Sequence, residues 1–249
     1  MSSLKPDVAA NIAAARLDPD RMPNHIACVM DGNGRWAQDR GLKRTEGHTK
    51  GELALFDTLE AARQLGTGWF TVYAFSTENW KRPKPEVKFL INYSRIILDR
   101  RREELHERNI RIRVIGRRDW RVPKGVLKRI ERAEELTQDN TGTTFTVAFN
   151  YGGRTEIVDA VRAIVDSGKT GQKITEKLIA RHLYDAEMPD VDLMVRTSGE
   201  QRISNFLLWQ LAYAELVFTP TLWPDFGHDA LVDVIGQYQG RDRRYGVLS

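Results

Sequence analysis

The sequence contains a single cysteine, Cys28, and this scarcity excludes several kinds of site. Neither an intrachain disulfide nor a metal site built from several cysteines can form, which fits a protein of a reducing compartment. Because Cys28 lies inside an apolar stretch, we expect it to be a small buried hydrophobe.

Long apolar runs are also missing. No stretch approaches the roughly 20 residues that a membrane-spanning helix needs, and residues 1–24 lack the basic-then-apolar pattern of a secretory signal. We therefore expect a cytoplasmic protein whose only membrane contact is peripheral, at the inner face of the plasma membrane.

Charge of one sign is not dominant, because 38 Lys and Arg residues face 34 Asp and Glu residues for a formal net charge of +4. This mild excess suits anionic small molecules or lipid surfaces, whereas a nucleic-acid binder concentrates its cations on one face. We expect no nucleic-acid partner.

The length of the chain suggests one domain, because 249 residues suffice for a single well-buried core. We expect a polar arm over residues 1–23 and a single domain over residues 24–249.

The stretch from His25 to Ala37 carries the strongest functional signal. Ile26 to Met30 predicts a buried strand that delivers the turn Asp31 to Gly34 to its carboxyl end. Ligands of open α/β sheets bind at that end of the strands, where glycines let backbone N–H groups approach a phosphate. Neither GxGxxG nor GxxxxGK[ST] is present, which excludes a Rossmann or P-loop interpretation.

Charged side chains at this turn are suited to binding a phosphate and a metal ion. Arg35 offers a guanidinium fork suited to phosphate oxygens, and Asp31 is a hard oxygen ligand of the kind that magnesium prefers. A plain turn after a strand explains Asp31 equally well, but not Arg35 and Trp36 directly after it. Arg44 and His48 follow on one face of a predicted helix, where His48 is either a surface histidine or a substrate contact.

A second predicted strand, Trp69 to Phe75, also ends in polar groups. Ser76 and Asn79 follow it, and such residues commonly act as caps or Asx turns. Trp80 beside Arg82 is not expected in a loop without a function, because the pair places an apolar surface next to a cation that can bind phosphate.

The predicted helix from Pro85 to Arg108 is apolar almost all round in its first half, Val87 to Leu98. A helix packed on one side of a sheet needs only one apolar stripe. A dimer interface, complete burial of the helix, or an apolar ligand channel would each account for the second face. The run Arg100 to Arg102 begins a half that is charged on every side, typical of a solvated extension or a lid.

Strands and helices alternate along the rest of the chain. Strands are predicted at Ile110–Ile115, Thr143–Phe149 and Val191–Arg196, with helices at Val126–Thr137 and Thr155–Val165 between them. This order predicts an α/β fold with a mostly parallel central sheet flanked by helices.

A second anion-binding cluster follows the last of these strands. Arg196 and Arg202, with a glycine and hydroxyl groups between and after them, form a candidate phosphate cradle. Two anion sites, one magnesium-type carboxylate and a helix with surplus apolar surface together predict a protein that handles a diphosphate with a long apolar tail.

These segments resemble the cis-prenyltransferase family, in particular bacterial undecaprenyl and decaprenyl diphosphate synthases. The similarity covers about residues 24–246 and rests on segments in family order and spacing: His25–Ala37, Phe75–Arg82, Asn150–Arg154, Arg196–Trp209, Glu215 and Arg244-Tyr245-Gly246. It implies that residues 24–249 form a catalytic domain with a hydrophobic tunnel, in a homodimer. It also implies a Mg²⁺-dependent reaction in which isopentenyl diphosphate is added repeatedly to an allylic diphosphate such as farnesyl diphosphate. The product would be a long-chain Z-polyprenyl diphosphate, the precursor of a carrier lipid for cell-wall glycans.

The resemblance also implies a role for each matching residue. Asp31 would hold Mg²⁺ against the allylic diphosphate, and Glu215 would be a further magnesium-linked carboxylate. Ser76 and Asn79 match residues that orient the homoallylic substrate and help remove its proton, although the released diphosphate or His48 could equally accept it. Substrate-binding roles fall on Gly32, Asn33, Gly34, Arg35, Trp36, Arg44, His48, Phe75, Trp80, Arg82, Arg196, Arg202, Ser204, Arg244 and Gly246, the last two contributed by the partner subunit.

Rival interpretations remain at this point. The absence of a DDxxD pair disfavours the mechanism of trans-prenyltransferases. A short-chain relative, or a non-catalytic lipid-binding subunit of the same fold, would share much of the pattern. Such subunits usually lack the metal carboxylate or parts of the phosphate cradles, whereas Asp31, Asn79, Arg202 and Ser204 are all present here. We expect Asp31 to contribute little to folding, as a solvent-facing loop carboxylate.

Overall fold

The computed structural model of the protein describes residues 5–169 and 171–241. The strands are β1 (His25–Val29), β2 (Trp69–Ser76), β3 (Arg111–Ile115), β4 (Thr144–Tyr151), β5 (Leu193–Arg196) and β6 (Glu215–Phe218). The helices are α1 (Pro6–Ala14), α2 (Asn33–Gln38), α3 (Arg44–Gln64), α4 (Lys84–Glu107), α5 (Lys124–Thr137), α6 (Gly153–Asp166), α7 (Glu176–Ala180) and α8 (His228–Gln239). Among the described residues, no helix combines the length and apolar character needed to cross a membrane.

The strands form one sheet in the order β3-β4-β2-β1-β5-β6. β1 pairs in parallel with β5, β5 with β6, and β3 with β4. Along one row of the register, Ile26 lies opposite Leu193 and Leu193 opposite Glu215. The predicted α/β class is confirmed, because parallel neighbours require the crossover helices that the alternating sequence pattern indicated. β3 lies at an edge of the sheet.

Two elements differ from the sequence predictions. β6 has four residues, too few for a hydrophobic period to be recognised. α2 begins at an Asn-Gly pair that favours a turn by itself. Both elements depend on tertiary contacts, since β6 pairs with β5 and α2 packs against α3. The other predicted strands and helices are confirmed within a few residues.

The described chain divides into two compact units. The first contains the residues up to Phe70, Asp190–Ile203 and the residues from Leu211 onward. Every residue of β1 and of β5 is buried in it, including Cys28, whose thiol pKa is raised by burial. Trp223 stacks on Phe226 at 5.5 Å between ring centroids and donates its indole N–H to the Gly51 carbonyl at 2.9 Å.

The second unit contains Thr71–Pro189 and Ser204–Gln210. One face of α4, including Ile91, packs into its apolar cluster with residues of β2, β4 and α5. Ile96 on another face of α4 is 49% exposed, so complete burial of this helix, one of the three possibilities for its apolar surface, is wrong. In the second half, Arg101 pairs with Glu104 at 2.7 Å, as expected of a charged extension.

A carboxyl group is buried in the second unit among neutral hydrogen-bond donors. Glu156 is 1% exposed. The Tyr151 hydroxyl donates to its Oε2 at 2.5 Å, the Tyr184 backbone N–H to its Oε1 at 3.1 Å, and the Gln210 amide to its Oε2 at 3.4 Å. Because desolvation disfavours the charged carboxylate, burial raises the pKa of Glu156.

This burial makes the stability of the fold depend on pH. A carboxyl group whose pKa is raised by folding stabilises the native state below its ordinary pKa of 4.5, and that contribution is lost as pH rises through the higher pKa of the folded chain. We predict that Glu156→Gln reduces this loss, so that the variant's melting temperature falls less between mildly acidic and neutral pH. Thermal denaturation across a pH series measures the effect. Exposed Glu131→Gln is the matched control, and an unchanged pH slope in Glu156→Gln would contradict the prediction.

Candidate active site

The carboxyl ends of β1 and β5 bring together Asp31 and Arg196, two residues that the sequence separates widely. An Nη of Arg196 donates to the Asp31 Oδ2 at 2.8 Å, and the other Nη donates to the Arg202 carbonyl at 2.6 Å. The Arg196 side chain is 4% exposed and that of Asp31 is 35% exposed. Thr197 holds the Asp31 backbone, since its hydroxyl accepts from the Asp31 N–H at 2.9 Å and donates to the Asp31 carbonyl at 2.7 Å.

This pair corrects the expectation that Asp31 contributes little to folding. Removal of the Asp31 carboxylate would leave the buried Arg196 guanidinium without its charged hydrogen-bond acceptor. Deleting one partner of a buried ion pair is strongly destabilising, by about 3–5 kcal/mol where both charges are fully buried. Because Asp31 is partly exposed, the effect here should be smaller. Asp31 therefore has a structural role in addition to any role in catalysis.

Arginines and carboxylates alternate around this turn. Arg35 donates to the Ser198 hydroxyl, and its guanidinium lies 3.9 Å from the Asp31 carboxylate and 3.7 Å from the Glu200 carboxylate. Glu200 also pairs with Arg202. Three arginines thus face two carboxylates. The resulting positive excess favours an anion, and Arg35 and Arg202 are exposed enough, at 47% and 60%, to reach one.

Glycine is required in the turn itself. Gly32 has φ +106°, and a Cβ there would lie 2.8 Å from the Leu222 side chain. At Gly34 a Cβ would lie 3.0 Å from the Arg44 guanidinium, so Arg44 rests directly against the turn, and its substrate-binding role stays a prediction. His48, one helical turn further along α3, is half-buried.

Two glycines of α3 let α2 approach closely. A Cβ at Gly47 would lie 2.0 Å from the Asn33 carbonyl oxygen, and one at Gly51 would lie 2.3 Å from the Asn33 Oδ1. Trp36, three residues further along α2, is fixed by its indole N–H, which donates to Asp225 at 2.7 Å. The position of the Asp31 to Arg35 turn therefore depends on the packing of α2 against α3.

Glu215 lies elsewhere in the same unit. It begins β6 in register with the start of β5, whereas Asp31 follows the end of β1. About five residues of extended chain, roughly 16 Å, separate these two levels. Glu215 is paired with Arg241 at 2.9 Å. Asp31 and Glu215 of one chain therefore cannot bind one magnesium ion, and the metal role of Glu215 stays a prediction.

The donor chemistry at Asp31 nevertheless fits magnesium. Among the described residues, no group of three or more His, Cys, Asp or Glu side chains is placed to hold a metal ion. Magnesium does not need such a cage, because it is usually bound by one or two carboxylates together with substrate phosphates and water. The partly exposed Asp31 carboxylate beside an anion-binding turn supplies the protein's part of that arrangement.

In the second unit, Ser76 and Asn79 lie at the junction of β2 and a short 3-10 helix, Thr77–Lys81. The Ser76 backbone N–H donates to the Asn79 Oδ1 at 2.9 Å. The capping alternative is thus realised for Asn79. This bond does not involve the Asn79 NH₂ group, which stays able to donate to a substrate.

Trp80 is held in place by two contacts. Its ring packs edge-on against Phe75 at 4.9 Å between centroids, and its indole N–H donates to the Asn150 Oδ1 at 2.8 Å. Phe75 is 1% exposed and belongs to the apolar cluster of the unit, so it supports Trp80 more than it forms a free wall. Trp80 and the exposed Arg82 both line a cleft of the second unit, and Arg82 pairs with Glu86 at 3.0 Å.

The loop after β5 contains residues that sequence reasoning did not select. Asn205 accepts the Gly153 N–H at 2.7 Å through its carbonyl, accepts the Arg154 N–H at 2.9 Å through Oδ1, and donates to Glu78 at 3.1 Å. Ser204 and Asn205 have φ of +50° and +63°. Left-handed backbone at non-glycine residues often marks functional loops.

Two residues of the first unit also had no role assigned from the sequence, namely Ser198, with φ +76°, and Glu200. Arg244 and Gly246 lie outside the described residues.

The chain is similar to known prenyltransferases. The prenyltransferase family model, described as undecaprenyl diphosphate synthase, matches residues 29–246. A Thermobifida fusca protein named trans,polycis-polyprenyl diphosphate synthase ((2Z,6E)-farnesyl diphosphate specific) is 52% identical over 235 residues, which cover 93% of this chain and 83% of that protein. Decaprenyl diphosphate synthase of Mycolicibacterium smegmatis is 49% identical over 97% of this chain and 83% of its own.

The chain is also similar to solved structures. Lavandulyl diphosphate synthase from Lavandula x intermedia, in complex with dimethylallyl diphosphate, gives a TM-score of 0.87 at 38% identity and covers 92% of this chain and 100% of that one. A probable undecaprenyl diphosphate synthase from Campylobacter jejuni gives 0.77 at 31% identity, with coverage of 90% and 99%.

The close packing of α2 on α3 generates a testable prediction. Gly47→Ala should displace the Asp31 to Arg35 turn, because a Cβ cannot lie 2.0 Å from a carbonyl oxygen. We expect a loss of about 1–3 kcal/mol in the free energy of unfolding and weaker binding of a diphosphate ligand. Denaturant titration and calorimetry measure these quantities. Gly125→Ala in α5, where a Cβ would meet only Arg129 at 3.6 Å, is the control. A Gly47→Ala protein with unchanged stability and diphosphate binding would refute the prediction.

Proposed function

The chain belongs to the cis-prenyltransferase family of undecaprenyl diphosphate synthases, and we propose that it elongates farnesyl diphosphate with isopentenyl diphosphate to a long-chain Z-polyprenyl diphosphate. As a prenyltransferase it joins an allylic and a homoallylic diphosphate. The observation that carries the finer proposal is the Arg35, Arg196 and Arg202 group around Asp31, which is built for phosphate oxygens. The farnesyl-specific name of the Thermobifida fusca relative supports the choice of starter.

The reaction breaks one carbon–oxygen bond and forms one carbon–carbon bond. The bond between C1 of the allylic substrate and its diphosphate oxygen breaks, and the electrons of the C3=C4 double bond of isopentenyl diphosphate form the new bond from C4 to C1. C2 of isopentenyl diphosphate then loses a proton, and the electrons of that C–H bond form the new C2=C3 double bond. Negative charge grows on the leaving diphosphate. Arg35, Arg44 and the backbone N–H groups after Gly32 would bind that charge, which lowers the barrier to cleavage.

We propose that Asp31 holds Mg²⁺ against the allylic diphosphate. When bound, the metal supplies charge neutralisation for the leaving diphosphate. The Asp31 carboxylate accepts one hydrogen bond from Arg196, so its remaining lone pairs stay available to a ligand. Asn79 and Ser76 would orient the homoallylic group, and the released diphosphate or His48 would accept the proton.

Isopentenyl diphosphate would be bound by Arg196, Arg202 and Ser204. We propose that the basic tail with Arg244 and Gly246 completes this cradle from a second copy of the chain, and that the enzyme is a homodimer. The carrier-lipid pathway for cell-wall glycans and a cytoplasmic location with peripheral membrane contact belong to the same proposal. Long Z-polyprenyl diphosphates are membrane lipids, so their synthesis is compatible with such a location.

A short-chain product is the second candidate. It is favoured by the structural similarity to lavandulyl diphosphate synthase, whose structure holds dimethylallyl diphosphate. The second apolar face of α4 favours the long product instead, because a short product needs little apolar surface. The Thermobifida fusca and Mycolicibacterium smegmatis relatives are both named for polyprenyl products.

Product analysis distinguishes these candidates. The purified chain is incubated with radiolabelled isopentenyl diphosphate, Mg²⁺ and either farnesyl or dimethylallyl diphosphate, and the dephosphorylated products are separated by length. A ladder that reaches decaprenyl or undecaprenyl length from farnesyl diphosphate supports our proposal. A single short product moves the chain to the short-chain branch, and no product with either starter would support a non-catalytic lipid-binding role.

The two roles of Asp31 can be separated by substitution. We predict that Asp31→Asn abolishes turnover but retains most stability, because an amide oxygen still accepts from Arg196 while the charge that would hold Mg²⁺ is lost. Asp31→Ala should abolish turnover and also lower the free energy of unfolding by about 1–3 kcal/mol. Turnover assays and denaturant titrations of both variants check this. Near-normal turnover in Asp31→Asn would disprove the metal assignment.

The second face of α4 is tested by product length. Ile96→Trp enlarges a side chain that is 49% exposed on the face that does not join the apolar cluster. If this face lines the product channel, the variant should make shorter products at a similar rate of first addition. Arg95→Trp, with the same large ring at the neighbouring exposed position, is the control. Product ladders that are identical in Ile96→Trp and the unaltered chain would rule out the channel role.

A further inference from the structure

A basic surface of the second unit has residues to which the proposed chemistry assigns no role. It surrounds a cleft of about 370 Å³ between the start of α4 and the loop after β3. We call this surface the basic cleft. Its apolar lining residues are Trp80, Val87, Ile91 and Pro123, and its cationic lining residues are Arg82, Lys84, Lys88 and Arg121.

An unusually exposed tryptophan adjoins the basic cleft. Trp120 is 90% exposed and directly precedes Arg121, one of the lining residues. Large aromatic side chains are normally buried in the core or at an interface. A tryptophan ring has an apolar body and one polar N–H, and it is most favourable at the headgroup level of a membrane. Its setting among cations is therefore more typical of a membrane-contacting loop than of a free surface.

The charge of this surface accounts for the net charge of the whole chain. Residues 81–88 contain four cations and one carboxylate, and residues 117–124 contain the same, which gives +3 and +3, or +6 together, against +4 for the chain. Two carboxylates from other elements offset part of it, since Asp159 pairs with Arg117 and Glu134 with Arg118. The remaining +4 equals the formal charge of the entire protein, so the rest of the chain is neutral on balance.

We propose that the basic cleft and Trp120 dock the enzyme on an anionic phospholipid bilayer. The exposed Lys84 and Lys88 would lie against lipid phosphates, while the Trp120 ring enters the headgroup region. Charge complementarity selects this occupant, because four surplus cations around an apolar lining match anionic headgroups above acyl chains. A soluble anion would use the cations and leave Trp120 without a role.

The inference deepens the proposed function and rests on it for its biological meaning. A polyprenyl diphosphate becomes insoluble in water as it grows, and a bilayer is the phase that accepts it. Trp80 and Arg82, which belong to the candidate active site, also line the basic cleft. Docking through this surface would therefore hold part of the catalytic machinery at the membrane.

Vesicle co-sedimentation of the full chain tests the proposal. We expect binding to vesicles that contain phosphatidylglycerol and little binding to vesicles of phosphatidylcholine alone. Raising the ionic strength should weaken binding, since exposed charges are screened over about 10 Å at 0.1 M salt. Equal binding to both kinds of vesicle, or no binding to either, would overturn the proposal.

Two variants with matched controls locate the surface. Each cation near an anionic membrane strengthens partitioning about fivefold, so Lys84→Gln with Lys88→Gln should weaken vesicle binding by about thirtyfold. Trp120→Ala should weaken it independently, and to a similar degree at high and low salt. The controls are Lys173→Gln with Lys177→Gln, which removes two other exposed lysines, and Tyr213→Ala, which removes an aromatic ring that is 73% exposed. Unchanged vesicle binding in the Lys84/Lys88 or Trp120 variants would overturn the proposal.

Activity in detergent separates this inference from the proposed function. Prenyl transfer by the Lys84/Lys88 and Trp120 variants, measured in detergent without vesicles, should match that of the unaltered chain. If these variants bind vesicles normally but bind inorganic diphosphate more weakly, the cations serve a soluble anion and the membrane inference is wrong. If the unaltered chain binds vesicles but makes no prenyl product, the proposed function fails and the docking surface stands.

Discussion

The ion pair between Asp31 and Arg196 is the interaction on which the candidate site depends. It joins the ends of β1 and β5 across a parallel register, and it places a partly exposed carboxylate against a guanidinium that is 4% exposed. A buried guanidinium requires a charged or well-bonded partner, because its desolvation is otherwise too costly. The carboxylate that could bind a metal is therefore also required by the fold.

The same turn shows how an anion site can be stable before its anion arrives. Arg35 and Arg202 share the Glu200 carboxylate, so their mutual repulsion is partly compensated within the chain. Both arginines remain exposed enough to exchange this partner for phosphate oxygens. A diphosphate carries more negative charge than the carboxylate it would replace, so binding would strengthen the pairing. Gly47 and Gly51 of α3 fix the position of this turn, because they let α2 lie directly on α3.

In the second unit, Trp80 lies between the packed core and a polar surface. Trp80 contacts the buried Phe75 on one side and donates to Asn150 on another, so its orientation is fixed by groups from β2 and β4. α4 contributes one apolar stripe to this core and keeps further apolar residues, such as Ile96, outside it. A helix with two apolar faces suits an enzyme whose product is an apolar chain. The buried Glu156 shows that this unit also tolerates a titrating group in its interior.

The sequence by itself determined the α/β class, the mostly parallel direction of the strands and most element boundaries, because hydrophobic periodicity and turn residues act over short distances. It also located the Asp31 to Arg35 turn and the Arg196 to Ser204 cluster, since glycines and arginines directly after apolar strands are typical of phosphate-binding loops. Only the tertiary structure decided which of these residues meet. It paired Asp31 with Arg196, placed Glu215 at the far end of the strands, and gave Asn205 and Glu200 their partners, because strand register and helix packing join residues that no local pattern connects. The short β6 and α2 were missed because each is positioned by another element, β5 for β6 and α3 for α2, and not by a local pattern.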